Sequence, residues 1–222
     1  SMTEEDHRFV TEAVAKAEER TDAEIVTIVA GRSDAYHDVG LHWALLAMLL
    51  VPLFAAAFPA DYEGALIWVM GGWTHDLPAR TLFLLMFGQM ILHFLVVRYL
   101  LAIPALRMAV TPGATKSRRV RRRSLLLFRT AAEARTRRLT GVLLYLSLAE
   151  HRAEIVADEA IASQVSPEVW GEAMAAMIED VRQGNIAQGM AKAIERAGAI
   201  LAKHCPKTGT DTNELPDRLI EL

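Results

Sequence analysis

Behind Thr3, the apolar residues Phe9, Val10, Ala13, Val14 and Ala17 recur at helical spacing, with Glu4, Glu5 and Asp6 in the first turn. The spacing predicts an amphipathic helix over residues 3–20 that stops at Thr21-Asp22. The period then changes. From Glu24 to Ala30 both alternating sets are apolar or β-branched, Ile25, Thr27 and Val29 on one side and Val26, Ile28 and Ala30 on the other. Such a segment predicts a strand covered on both faces.

Next the periodicity gives way to continuous apolar sequence. Leu41 to Pro59 is nineteen residues without a formal charge, and at about 1.5 Å per residue it nearly matches a hydrocarbon core of about 30 Å. A second stretch, Thr81 to Val110, is apolar from Leu82 to Val97, with Arg98 placed to snorkel to an interface. The piece between them, "DYEGALIWVMGGW", is short and glycine-broken and reads as interfacial or re-entrant. Trp43, Tyr62, Trp68, Trp73 and Tyr99 fall near the boundaries, where amphipathic rings concentrate. Residues 41–110 are therefore expected to form a two-helix transmembrane hairpin.

Helical spacing resumes at Ser124 to Arg138, with Leu125, Leu126, Phe128, Ala132 and Leu139 available for burial. Gly141 to Asp158 reads as two strands joined by a tight connection at Ala149-Glu150-His151. Pro167 opens a helix striped by Trp170, Met174, Met177, Ile178 and Val181, and Gly184-Asn185 breaks it. A last helix carries Ile186, Met190, Ala193, Ile194, Ala197, Ile200 and Leu201 and stops before Pro206. The tail, residues 207–222, is polar and then amphipathic and is expected to be loosely held. The tetrapeptide AEIV occurs twice, at Ala23–Val26 and Ala153–Val156, on either side of the apolar block. Four residues are too few for a repeat, so the two are read as strands of one sheet whose chain is interrupted by a membrane insertion.

The expected fold is α/β, a small sheet sandwiched by helices, with an inserted two-helix transmembrane hairpin. Its parts are a discontinuous domain (3–30 and 124–206), the hairpin (41–110), a basic juxtamembrane segment (111–123) and the tail (207–222).

Charge sets the orientation. The net charge of −3 hides a segregation: from Arg98 to Arg138 many Arg and Lys face one acid, Glu133, whereas Asp61 to Arg80 holds Asp61, Glu63 and Asp76 against Arg80 alone. The basic flank stays inside, so both halves of the domain are expected in the cytoplasm of a two-pass protein of the bacterial inner membrane. The single cysteine, Cys205, excludes an intramolecular disulfide framework. Ser1-Met2 looks like a tag remnant, and the opening residues lack the pattern of a cleavable signal peptide.

"AVAKAEERTDAEIVTIV", "TGVLLYLSLAEHRAEIVADEAI", the run from Pro167 to Pro206 and the closing "NELPD" resemble the TPM domain of thylakoid, photosystem-associated and acetylcholine-receptor-associated proteins. The resemblance covers roughly residues 5–30 and 124–206. It implies a small sheet between helices. It also implies either phosphatase or divalent-metal chemistry, or an accessory role beside membrane complexes, since members of each kind are described. Typical members carry an Asp-containing segment ending in D-x-A ahead of the first helix. This chain enters the helix almost at once, so whatever that segment contributes to a metal or catalytic site is expected to be missing.

Asp158 is the foremost candidate for chemistry. At a strand end it suits a hard cation, calcium or magnesium; Asp is equally a preferred helix N-cap. Asp34 and Asp38 in "GRSDAYHD" join it as metal ligands if they share its sheet edge, and are otherwise a solvated linker. Glu24 and Glu154, the acids of the AEIV pair, are either a carboxylate pair for acid–base work or exposed and ion-paired strand residues. His151 reads as a surface turn residue. "GATKS" lacks the second glycine of a P-loop, and "DTNELPDRLIEL" has Pro216 where an EF-hand needs glycine.

Two further groups concern the membrane. Lys116, Arg118, Arg119, Arg121, Arg122 and Arg123 give six basic residues in eight, which act as a topogenic signal or also hold the domain against anionic lipid headgroups. Gln89 and His93 lie one helical turn apart inside the second span, and polar residues there predict an interhelical hydrogen bond or an oligomer contact. The function expected is a membrane-anchored binding or accessory module acting with a membrane protein partner, and no nucleic acid is expected. The alternatives are a metal-assisted phosphatase and an oligomeric channel-like or transport subunit.

Overall fold

Helix α1 (Glu4–Glu18) starts as the pattern requires. Thr3 Oγ1 accepts from the Asp6 N–H, and the Asp6 carboxylate accepts from the Thr3 N–H in return, which satisfies two donors at the helix start. Val10, Val14 and Ala17 form its buried stripe. Strand β1 (Glu24–Ala30) follows.

The computed structural model describes residues 2–73, 76–133, 141–208 and 219–222. The expected helix end at Arg138, the burial of Ala132 and Leu139, and most of the EF-hand-like tail lie outside the described residues. The chain divides into two compact units, Ser1–Asp34 with Pro112–Leu222, and Ala35–Thr111.

The first unit is built on a small mixed sheet. Strand β1 pairs in parallel with β2 (Gly141–Ser147) along its full length, from Glu24 opposite Gly141 to Ala30 opposite Ser147. Strand β2 pairs antiparallel with β3 (Arg152–Ala157), from Val142 opposite Ala157 to Ser147 opposite Arg152. The two AEIV segments thus share a sheet, run in opposite directions and flank β2 rather than each other. The fourth strand, β4 (Ile220–Glu221), pairs in parallel with Ile28 and Val29 and closes the order β3-β2-β1-β4. The end of the tail, expected to be loose, is an edge strand because Leu219 is buried and Leu222 exchanges backbone hydrogen bonds with Val29 and Gly31.

Parallel neighbours need a crossover that carries the chain back along the sheet. Here the returning helix is α6 (Gly113–Glu133), whose Val120, Leu125, Leu127 and Phe128 pack on Val26, Ile28, Leu143 and Tyr145. The opposite face buries Ile25, Val29, Val142, Leu144 and Leu146 under α1, α8 (Pro167–Arg182) and α9 (Ile186–His204), with Ile161 of the short α7 (Glu159–Ala162). Both faces of β1 and β2 are therefore dry, which is why neither strand alternates polar and apolar. The expected boundary at Ser124 does not exist: the basic run is the first half of α6, and Val120 within it is fully buried.

The second unit contains α2 (His37–Ala57), α3 (Pro59–Val69), α4 (Ala79–Leu100) and α5 (Pro104–Val110). Helices α2 and α4 pack on each other and are long and apolar enough to cross a membrane by length and composition. The stretch between them, expected to be interfacial or re-entrant, is mostly α3, ended by Gly71 and Gly72 at φ of 97° and 72°. Arg107 is turned inward, 5 % exposed, and donates to the Leu101 carbonyl that ends α4.

Candidate functional site

At one end of the sheet Asp158 performs the role of a cap. Its carboxylate accepts from the Ile161 N–H at 2.9 Å and from the Gly141 N–H at 3.3 Å, so it starts α7 and ties it to the first residue of β2. Cys205 lies on this side of the molecule. Burial pushes its thiol up, and the carboxylates of Asp158 and Asp22 add to the effect. Close by, the Thr21 hydroxyl donates to the Cys205 carbonyl at 2.6 Å, which joins the end of α9 to the start of β1.

At the other end, where β1 and β2 finish, a buried polar network has formed. Ser33 Oγ donates to Ser147 Oγ at 2.7 Å, and Ser147 donates to Glu150 at 2.5 Å. Because the Ser33 proton is committed, the Tyr145 hydroxyl at 2.9 Å is the donor to Ser33. Glu150 also accepts the Ser33 backbone N–H at 3.0 Å. Tyr145 and Ser147 are fully buried and Glu150 is 4 % exposed. The carboxylate thus terminates a three-hydroxyl chain and fastens the exit of β1 to the β2–β3 turn, where His151 takes a left-handed φ of 50°. Asp34 is held just beyond by Arg119 of α6 at 2.9 Å.

The proposed metal ligands are therefore not brought together. Asp34 follows the C-terminal end of β1, whereas Asp158 sits beside Gly141, which pairs with the first residue of β1. Seven residues at about 3.3 Å each put the two ends roughly 20 Å apart, far beyond shared coordination at about 2.3–2.6 Å. Asp38 belongs to the second unit, in the first turn of α2. Among the described residues no group of three or more His, Cys, Asp or Glu is gathered for a metal.

Glu24 and Glu154 are also separate. Glu24 is buried at the start of β1, and Glu154 lies in the middle of β3 opposite Tyr145. Burial raises the Glu154 carboxyl above its usual range, and Arg121, at 3.8 Å, opposes the shift. Two of the six basic residues are consequently engaged within the domain, Arg119 with Asp34 and Arg121 with Glu154. Arg118, Arg122 and Arg123 are exposed and Lys116 is partly so.

Along α1 and α9 runs a groove of about 540 Å³, lined by Phe9, Ala13 and Ala191 together with Lys16, Arg20 and Glu195. It can bury an apolar group among charges of both signs. In the second unit the Tyr62 hydroxyl of α3 donates to the Gln89 side-chain carbonyl at 2.9 Å, and His93 Nδ1 meets the Gln89 backbone carbonyl at 2.8 Å. Gln89 therefore bonds to the linking helix rather than to α2.

The hydroxyl–carboxylate network escaped sequence reasoning because Ser33 is separated from Tyr145 and Ser147 by more than a hundred residues. The only local trace was a tyrosine and a serine inside an otherwise apolar strand.

Residues 107–200 match a family model named TPM phosphatase and described as the TPM domain. The match takes in α6, β2, β3, α7, α8 and most of α9 and leaves out α1 and β1. No curated protein matches the chain. Among solved structures, the NMR structure of the BA42 protein from the psychrophilic bacterium Bizionia argentinensis aligns with 100% of this chain and 95% of that one. The TM-score is 0.55 at 18% sequence identity, a likeness of fold.

Proposed function

We propose that this chain is a membrane-tethered TPM-like module of the bacterial inner membrane, in which residues 35–111 form a two-pass transmembrane insertion and the sheet domain binds a membrane protein partner in the cytoplasm. One observation carries the reading. Strands before and after the insertion pair along seven residues, while the insertion displays Leu46, Leu49, Leu53, Phe83, Phe87 and Leu92 to its surroundings. Apolar side chains of this size on the outside of paired helices suit a lipid solvent. A two-pass insertion returns the chain to the side it left, as one sheet requires, and the arginine-rich start of α6 supports the cytoplasmic assignment.

A binding role rather than a catalytic one is supported by the state of the acids: Asp158 caps α7, Glu150 is bound by Ser33 and Ser147, and Asp34 is paired. The second reading, a metal-assisted phosphatase, is favoured by the name of the matching family model. Orientation is checked with single cysteines at exposed Asp61 and Gln183 in a Cys205→Ser background. In intact cells an impermeant thiol reagent should label the first and spare the second; equal labelling of both contradicts the topology.

A further inference from the structure

Resting on the membrane reading above, we infer that the second span is the contact surface for a second copy of this chain, joined by reciprocal hydrogen bonds between Gln89 of one copy and His93 of the other. Both residues sit near the middle of α4, Gln89 half-buried beside α2 and α3 and His93 exposed one turn on. Their hydrogen-bonding states are fixed by their neighbours. A backbone carbonyl only accepts, so in the neutral imidazole His93 Nδ1, at 2.8 Å from the Gln89 carbonyl, carries the proton and Nε2 is left as an acceptor. The Tyr62 hydroxyl donates to Gln89 Oε1, so the Gln89 amide NH₂ is left as a donor. The Phe54 ring, edge-on to Tyr62 at 6.4 Å, holds that tyrosine in place.

Among the described residues neither the Gln89 NH₂ nor the His93 Nε2 has a hydrogen-bond partner. One face thus bears a fixed donor and a fixed acceptor one helical turn apart, and it is complementary to itself. Copies related by a two-fold axis along the membrane normal place their α4 helices parallel, and the offset of about 6 Å between position 89 and position 93 is within reach of the two side chains. Both side chains line a recess of about 290 Å³ that α4 forms with Leu50, Val51 and Phe54 of α2 and Tyr62 of α3. Unsatisfied polar groups are costly in hydrocarbon, and the second copy satisfies all four at once.

The test uses the full chain in neutral phosphatidylcholine vesicles, labelled at a cysteine replacing Gln183 in a Cys205→Ser background, with energy transfer followed as lipid is added. Wild type should self-associate, and Gln89→Leu or His93→Leu should each weaken association roughly three- to tenfold, the range for one or two interhelical hydrogen bonds. The decisive sample mixes the two variants. A Gln89→Leu copy still offers His93 and a His93→Leu copy still offers Gln89, so the mixed pair keeps one of the two bonds and should associate more tightly than either variant alone. A monomeric wild type, unaffected variants, or a mixed pair no tighter than its components overturns the inference and leaves the membrane reading intact. Failure of the wild-type chain to incorporate into vesicles overturns both.

Discussion

Asp158 separates the two chemical readings, because asparagine caps a helix about as well as aspartate but is a poor substitute for a carboxylate on a hard cation. Given its hydrogen bonds to Ile161 and Gly141, Asp158→Asn should melt within a few degrees of wild type, and Asp158→Ala should cost about 0.5–2 kcal/mol. Calcium and magnesium should leave the melting temperature unchanged in both wild type and Asp158→Asn. A cation-dependent rise that disappears in Asp158→Asn would falsify the cap assignment and promote the phosphatase reading. Glu154 makes a pH-dependent forecast. Its folded-state pKa is raised by burial, with Arg121 opposing, so its contribution favours the folded state below the unfolded carboxylate value of about 4.3 and is lost as pH rises through the folded value. The Arg121 partner is largely exposed at 3.8 Å, and such pairs contribute about 0–1 kcal/mol. Glu154→Gln, uncharged at every pH, should therefore melt above wild type near neutrality, and the gap should close as pH falls toward 4. A variant less stable than wild type at neutral pH would show that the Arg121 pair outweighs the burial.

Among the elements, α1 and α9 approach each other closely at Gly198. A Cβ added at Gly198 would lie 2.7 Å from the Ala17 Cβ, so this glycine is required by its neighbour rather than by its own conformation. Alanine in place of glycine gains about 1 kcal/mol of helix propensity, but overpacking at such a contact costs about 1–3 kcal/mol. Gly198→Ala should therefore lower the denaturation midpoint, and adding Ala17→Gly should recover part of the loss; a stabilised single variant would mean that the helices can separate freely. Most elements of this layer were legible in the sequence, because α1, α8 and α9 are single-faced and capped or broken by Thr3, Pro167 and Gly184. Strand β1 was legible in both bounds, since apolar residues in both alternating sets can only be buried twice. Helix α6 was mis-bounded because a run of arginines masked the buried Val120, and β4 was missed because two paired residues carry no periodicity.

On the scale of the whole molecule, the placement of the insertion follows from the sheet. A parallel β1–β2 pair must be joined by a long crossover, and a chain already committed to leaving the sheet can be extended there without breaking any ladder hydrogen bond. The sequence predicted an interruption from its two uncharged stretches and from the AEIV segments on either side, which do share one sheet. It did not reveal which acids would meet, because the direction of β3 sends Glu154 away from Glu24 and the sheet holds Asp34 and Asp158 at opposite ends. Removal of Ala35–Thr111, with Asp34 joined to Pro112 through a short glycine-serine linker, tests the interrupted-domain account most directly. The shortened chain should remain soluble after cell disruption and unfold in one cooperative transition, while the full chain stays in the membrane fraction through alkaline extraction. A shortened chain with no cooperative melt, or a full chain released by alkali, would contradict it.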